Sequence, residues 1–149
     1  MKKLLFVCTG NTCRSCMAEA IAKKLLKEQN MAQEIDVSSA GIHAVPEDKA
    51  SLAAVKVMDE YGVDIKAHCA RLLNPDLVKQ SDIILSMTES HKRVIIDSNP
   101  DAKSKVFTLK EYAAGTSGDI KDPYGGSAAI YKDCVEELKI YITKALYKI

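Results

Sequence analysis

No apolar run in this chain approaches the roughly 18 residues that a membrane-spanning helix needs, which argues against a helical membrane protein. An excess of either charge is also missing: 21 Lys and Arg stand against 20 Asp and Glu, for a net charge of +1. That balance supplies no global attraction for nucleic acid or for a membrane, so neither partner is expected and any recognition of an anion has to be local. Repeats, low-complexity stretches and linkers are absent, and 149 residues fit a single domain, 1–149, around one core. The opening MKKLLFVCTGNTC is basic at its start, but its apolar part, Leu4 to Val7, falls short of the ~7–15 residues of a signal-peptide core. A cytoplasmic protein is expected. Cys13-x-x-Cys16 has metal-ligand spacing, yet no second such pair and no close His pair completes a set of four, so no metal is expected. The five cysteines are an odd number in a chain large enough to fold without disulfides, which points to reduced thiols in a reducing compartment.

What is present is an alternation of strand and helix signals. Residues 2–7 read as a buried strand, short and apolar toward its end. From Cys16 to Asn30, Met17, Ile21 and Leu25 recur at helical spacing. A second strand spans Ile35 to Ala40, with Gly41 read as a turn, and Ala50, Ala54, Val57 and Tyr61 mark a helix closed by Gly62 at a C′ position. Further strands are expected at Asp82 to Met87 and Lys105 to Leu109, with a helix from Glu89 to Asp97 between them. From Ser127 onward, Ile130, Cys134, Leu138, Ile142 and Leu146 fall on one face of a long final helix. Such alternation predicts an α/β fold, a parallel sheet covered on both faces. Ligands of these sheets sit at the carboxyl ends of strands, where loops enter helices.

The first such loop reads Cys8-Thr9-Gly10-Asn11-Thr12-Cys13-Arg14-Ser15, with five residues between Cys8 and Arg14. A loop curled around one phosphate must aim successive backbone N–H groups inward at a helix N-terminus. Gly10 and Asn11 are the residue types that best accept the left-handed backbone of such a curl. Arg14 then offers a planar fork to two phosphate oxygens. The same positive field favours the thiolate of Cys8, the form that attacks phosphorus, and Ser15 can donate a hydrogen bond to it. Thr9, Gly10, Asn11, Thr12, Cys13 and Ser15 are accordingly the expected phosphate-binding residues. A leaving group departs more easily when protonated, so a carboxylic acid should face Cys8. Asp122 suits that place, in a stretch with Gly115, Gly118, Gly125 and Gly126 and with an extended backbone imposed by Pro123. Asp119 is its alternative.

The run VCTGNTCRS with Met17-Ala18-Glu19-Ala20 resembles the signature of the low-molecular-weight protein tyrosine phosphatase family. Ser39-Ala40-Gly41, His68-x-Ala70-Arg71 and Asp122-Pro123-Tyr124 match family landmarks in order, so the likeness covers essentially the whole chain. It implies a four-stranded parallel sheet with helices on both faces, a phosphate-binding loop after strand 1, no cofactor, and a phosphocysteine intermediate. Cys8, Arg14 and Asp122 would be catalytic, Ser39 and His68 supporting, with His68 helping to hold Asn11. His43 and His91 are expected to be solvated. Phosphorylated proteins are the expected substrates and a monomer the expected state.

Within the family, members acting on phosphotyrosine usually carry a bulky aliphatic residue where this chain has Thr12. The bacterial protein-arginine phosphatase branch resembles this chain in having Thr there, as well as in Val106 to Tyr112 and Asp122 to Ser127. A hydroxyl can accept a hydrogen bond from a guanidinium, and phosphoarginine is the expected substrate, with phosphotyrosine the alternative. Tyr124 can stack on either group. One departure is Cys16, where the family has Pro at the first helical position; it adds a thiol close to the loop. An arsenate reductase would need a cysteine relay, a phosphocysteine carrier no Arg clamp or acid, and a thiol redox module only Cys13 and Cys16.

Overall fold

The computed structural model describes residues Met1–Ile149. In chain order it contains β1 (Lys2–Cys8), α1 (Arg14–Glu28), β2 (Ile35–Gly41), α2 (Leu52–Glu60), α3 (Pro75–Gln80), β3 (Ile83–Ser86), α4 (Glu89–Ser98), a 3₁₀ turn (Pro100–Lys105), β4 (Val106–Thr108), α5 (Leu109–Ala114) and α6 (Ala128–Lys148). The four strands form one sheet in the order β2-β1-β3-β4, every pair parallel. No helix is long and apolar enough to cross a membrane.

β1 is bonded on both sides, to β2 and β3, and its burial is continuous from Leu4 to Cys8. Strand side chains alternate between faces, which splits the apolar residues into two cores. Leu4, Phe6, Cys8 and Leu85 face a core built with α1, α2, α5 and α6; Leu5, Val7, Ile84 and Val106 face a smaller one with Val78 of α3, Ile95 of α4 and Ala102 of the 3₁₀ turn. Each fully buried Leu, Ile or Phe contributes about 1.5–3 kcal/mol. The alternation puts Cys8 on the face that carries α1 and α6.

Helix starts follow from capping chemistry. Ser51, Asn74, Thr88, Thr108 and Ser127 each accept a backbone N–H of the helix they begin. Gly62 and Gly115 take positive φ, 82° and 68°, just beyond α2 and α5, as C-terminal caps require.

Several sequence expectations need correction. α1 begins at Arg14 rather than Cys16, so the loop arginine is itself the first helical residue. Gly41 is the last residue of β2 and not a turn. Ile130 is 42% exposed, off the buried stripe that holds Cys134, Leu138, Ile142 and Leu146. α3, α5 and the 3₁₀ turn, six residues each, had no counterpart in the periodicity. His91 is buried, not solvated.

Candidate active site

The loop after β1 is shaped from outside by its carbonyls. Cys8 O accepts from Ile42 N (3.0 Å), Thr9 O from His43 N (2.9 Å) and Thr12 O from Ser51 N (3.0 Å). His68 Nε2 lies 2.7 Å from Asn11 O, which as an acceptor requires the proton on that nitrogen. In a planar peptide, the N–H that follows a carbonyl points the opposite way. Outward carbonyls at Cys8, Thr9, Asn11 and Thr12 therefore turn the N–H groups of Thr9, Gly10, Thr12 and Cys13 to the inside of the curl. The result is a nest of donors opening onto the N-terminus of α1, whose N-cap, Cys13, makes no side-chain cap of its own.

Asn11 alone supplies the left-handed turn, at φ 58°; Gly10 keeps an ordinary φ, contrary to expectation. The Asn11 side chain is fully buried and uses every face of its amide. Nδ2 donates to Ser15 Oγ (2.8 Å) and to Ser39 Oγ (2.9 Å), and Oδ1 accepts from Arg71 N (2.9 Å). His68 grips the Asn11 backbone and not this amide, as the resemblance had implied only in outline. The Ser39 hydroxyl donates a hydrogen bond to Glu19 Oε1 (2.6 Å), and Glu19 Oε2 pairs with Lys23 Nζ at 2.7 Å. With Asn11 donating to Ser15 Oγ, the Ser15 hydrogen has Cys8 Sγ at 2.8 Å as its near acceptor and Ala40 O at 3.5 Å as its distant one. Asn11 N–H is a second donor to that sulfur at 3.3 Å.

Gly41, level with Cys8 in the sheet, forms the floor. A Cβ there would come within 2.5 Å of Thr9 O and 2.9 Å of Asn11 N, so only glycine lets the loop lie on β2. Glycine at the end of a strand beside such a loop was the available signal for it. The sequence assigned no site role to Glu19, Arg71 or His91, and carried no sign of the contacts of Cys13 with Ser51 Oγ (3.3 Å) and Tyr131 OH (3.4 Å).

Arg14 is 6% exposed, with Nη1 donating to Ile120 O at 3.0 Å and Nη2 3.6 Å from Asp122 Oδ2. These contacts bring the loop of residues 115–127 to the phosphate loop. Asp122 keeps an exposed carboxylate, its Oδ1 accepting from Tyr124 N (3.1 Å), and Tyr124 is 75% exposed beside it. Asp119 is engaged elsewhere, accepting from Glu89 N at 2.8 Å at the start of α4. Thr12 is half-buried, with Oγ1 4.0 Å from Cys13 Sγ.

Burial, with the Glu19 carboxylate nearby, pushes the Cys16 thiol far up, and burial pushes Cys134 up to about 12. Tyr131 is raised to about 12 by burial and its Cys13 contact. His91 is lowered to about 4 by burial and by the Arg14 cation.

A family model described as low molecular weight phosphotyrosine protein phosphatase matches residues 3–149. A protein-arginine-phosphatase of Bacillus subtilis (strain 168) is 42% identical over 148 residues, 97% of this chain and 97% of its own. A low molecular weight protein-tyrosine-phosphatase PtpB of Staphylococcus haemolyticus (strain JCSC1435) is 36% identical over 142 residues, 95% of this chain and 96% of its own. A solved structure of the YwlE arginine phosphatase, a cysteine-to-serine mutant with a phosphorylated active site serine, superposes with a TM-score of 0.93 at 38% identity, covering 98% of this chain and 94% of that one.

Proposed function

The chain belongs to the low molecular weight phosphotyrosine protein phosphatase family, and on that premise we propose that it hydrolyses phosphoarginine in proteins through a phosphocysteine intermediate. The observation that carries the substrate is the full-length likeness to a protein-arginine-phosphatase, in a chain whose phosphate loop holds Thr12. Cys8 is the nucleophile, supported by its two hydrogen-bond donors. Its sulfur attacks phosphorus while the nest and Arg14 hold the equatorial oxygens. The P–N bond breaks, its electron pair leaves with the guanidine nitrogen, and Asp122 delivers a proton there. Asp122 then takes a proton from water, whose oxygen displaces the Cys8 thiolate and releases phosphate. Thr12 accepts a guanidinium N–H that would otherwise be buried unpaired, and Tyr124 flanks the substrate. Ser39 and His68 hold Asn11 in its place. We place the enzyme in the cytoplasm, on its odd number of cysteines, as a monomer acting on phosphorylated proteins.

Phosphotyrosine is the second reading, favoured by the likeness to PtpB. Turnover of phosphoarginine and phosphotyrosine peptides, side by side, separates the two. An unpaired buried donor costs about 1–3 kcal/mol, so Thr12→Ile should lower kcat/KM for phosphoarginine roughly 5- to 150-fold and keep that for phosphotyrosine. A wild-type preference for phosphotyrosine, or an equal loss on both substrates, refutes the phosphoarginine assignment.

A further inference from the structure

His91 lies on the first turn of α4, against the loop, and the reaction above does not use it. It is 5% exposed, and its Nε2 sits 2.8 Å from Oγ1 of Thr9, the residue after Cys8. Its Nδ1 is the one buried side-chain nitrogen or oxygen of the chain without a hydrogen-bond partner. A buried N–H left unpaired is rarer than a buried bare acceptor, which puts the ring proton on Nε2, donating to Thr9. The Thr9 hydroxyl hydrogen is then free for another acceptor.

The charges that face the ring are Arg14 at the start of α1, His43 beyond β2, and Asp119 and Asp122 on the loop before α6. Arg14 and burial oppose an imidazolium, and the N-terminal end of α4 acts in the same direction. An imidazolium would also put a second N–H on Nδ1, where no acceptor lies, so the ring stays a neutral single donor. We propose that His91 is a positioning residue of the phosphate loop, a neutral ring whose Nε2–H fixes the Thr9 hydroxyl. The inference rests on the reading that this loop binds phosphate.

Two measurements test it. The first is an NMR titration of the full-length protein with inorganic phosphate at neutral pH, reading the His91 ring nitrogens and the loop amides together. The ring should be the neutral Nε2–H tautomer while the amides of Gly10 and Thr12 shift. An Nδ1–H tautomer while those amides respond overturns the proposal and leaves phosphate binding intact. Silent amides overturn the phosphate reading and this inference with it. The second is a double-mutant cycle on kcat/KM. Thr9→Val and His91→Phe should each lower it about 2- to 10-fold, with no further loss when combined, and His91→Gln should recover much of what His91→Phe loses. Independent, multiplying losses would refute the coupling, and the Thr9→Val arm still decides if His91→Phe fails to fold.

Discussion

Replacing Asn11 by Ala tests the network beneath the nucleophile. Three buried hydrogen bonds end on its side chain, at 2.8, 2.9 and 2.9 Å. At about 1 kcal/mol each, their loss removes about 3 kcal/mol. The backbone at φ 58° adds roughly 1 kcal/mol more, because Cβ of an alanine opposes a left-handed conformation without the compensating local bonds of asparagine. Asn11→Ala should therefore lose about 4 kcal/mol, and Asn11→Gly, free of the backbone strain, about 3 kcal/mol. For a chain of this length that corresponds to a fall in Tm of roughly 10 °C. Activity should fall as well, since the Ser15 hydroxyl no longer has its acceptor role fixed and its hydrogen is no longer directed to Cys8. A hydrogen bond to a charged group is worth about 1.5–3 kcal/mol, or roughly 10- to 150-fold in rate. Urea unfolding followed by circular dichroism gives the stability, and kcat at saturating substrate well below the transition gives the activity. If Asn11→Ala stays within 1 kcal/mol of wild type, or Asn11→Gly is the less stable of the two, the network reasoning is wrong.

Asp122→Asn should reduce kcat by ~10²–10⁴ for substrates with poor leaving groups and by less for activated ones; equal loss on both would show a binding role instead. Mild peroxide should give a reversible disulfide from Cys8 to Cys13 and spare Cys16, whose burial and Glu19 neighbour hold it protonated; mass spectrometry finding Cys8 linked to Cys16 contradicts this. Between pH 6.5 and about 4 the unfolded chain protonates His91 while the folded chain resists, so stability present above pH 6.5 should drain by up to about 3 kcal/mol as pH falls. Unfolding curves of His91→Gln across that window should lack this component, and an unchanged slope would reject it.

The strands and the two long helices were readable because each carries its own period, buried runs in β1 and a 3.6-residue stripe in α1 and α6. α3 and α5 hold six residues each, under two turns, too few for a stripe to stand out from chance. The Cys8 to Ser15 loop was legible because its spacing and its Asn are local properties. His91 was not: its burial comes from α4 packing on a loop more than 80 residues away, and nothing in Glu89 to Asp97 signals that contact. Gly41 was misread for a related reason. Glycine was taken for conformational freedom, where the sheet instead demands a position with no side chain at all.

Because β2 meets the loop at bare main chain, the cavity rests on atoms that have no rotamers to change. Holding a loose residue in one backbone conformation costs about 1–2 kcal/mol, and here the curl is held by strands, capped carbonyls and a buried amide before any anion arrives. A small tetrahedral anion entering this curl would meet donors already held in place, so little of its binding would be lost in ordering the chain around it. The same stiffness makes size a criterion of recognition. An anion too broad for the curl could widen it only by pushing Thr9 and Asn11 into Gly41, and through Gly41 against a strand paired along its full length with β1.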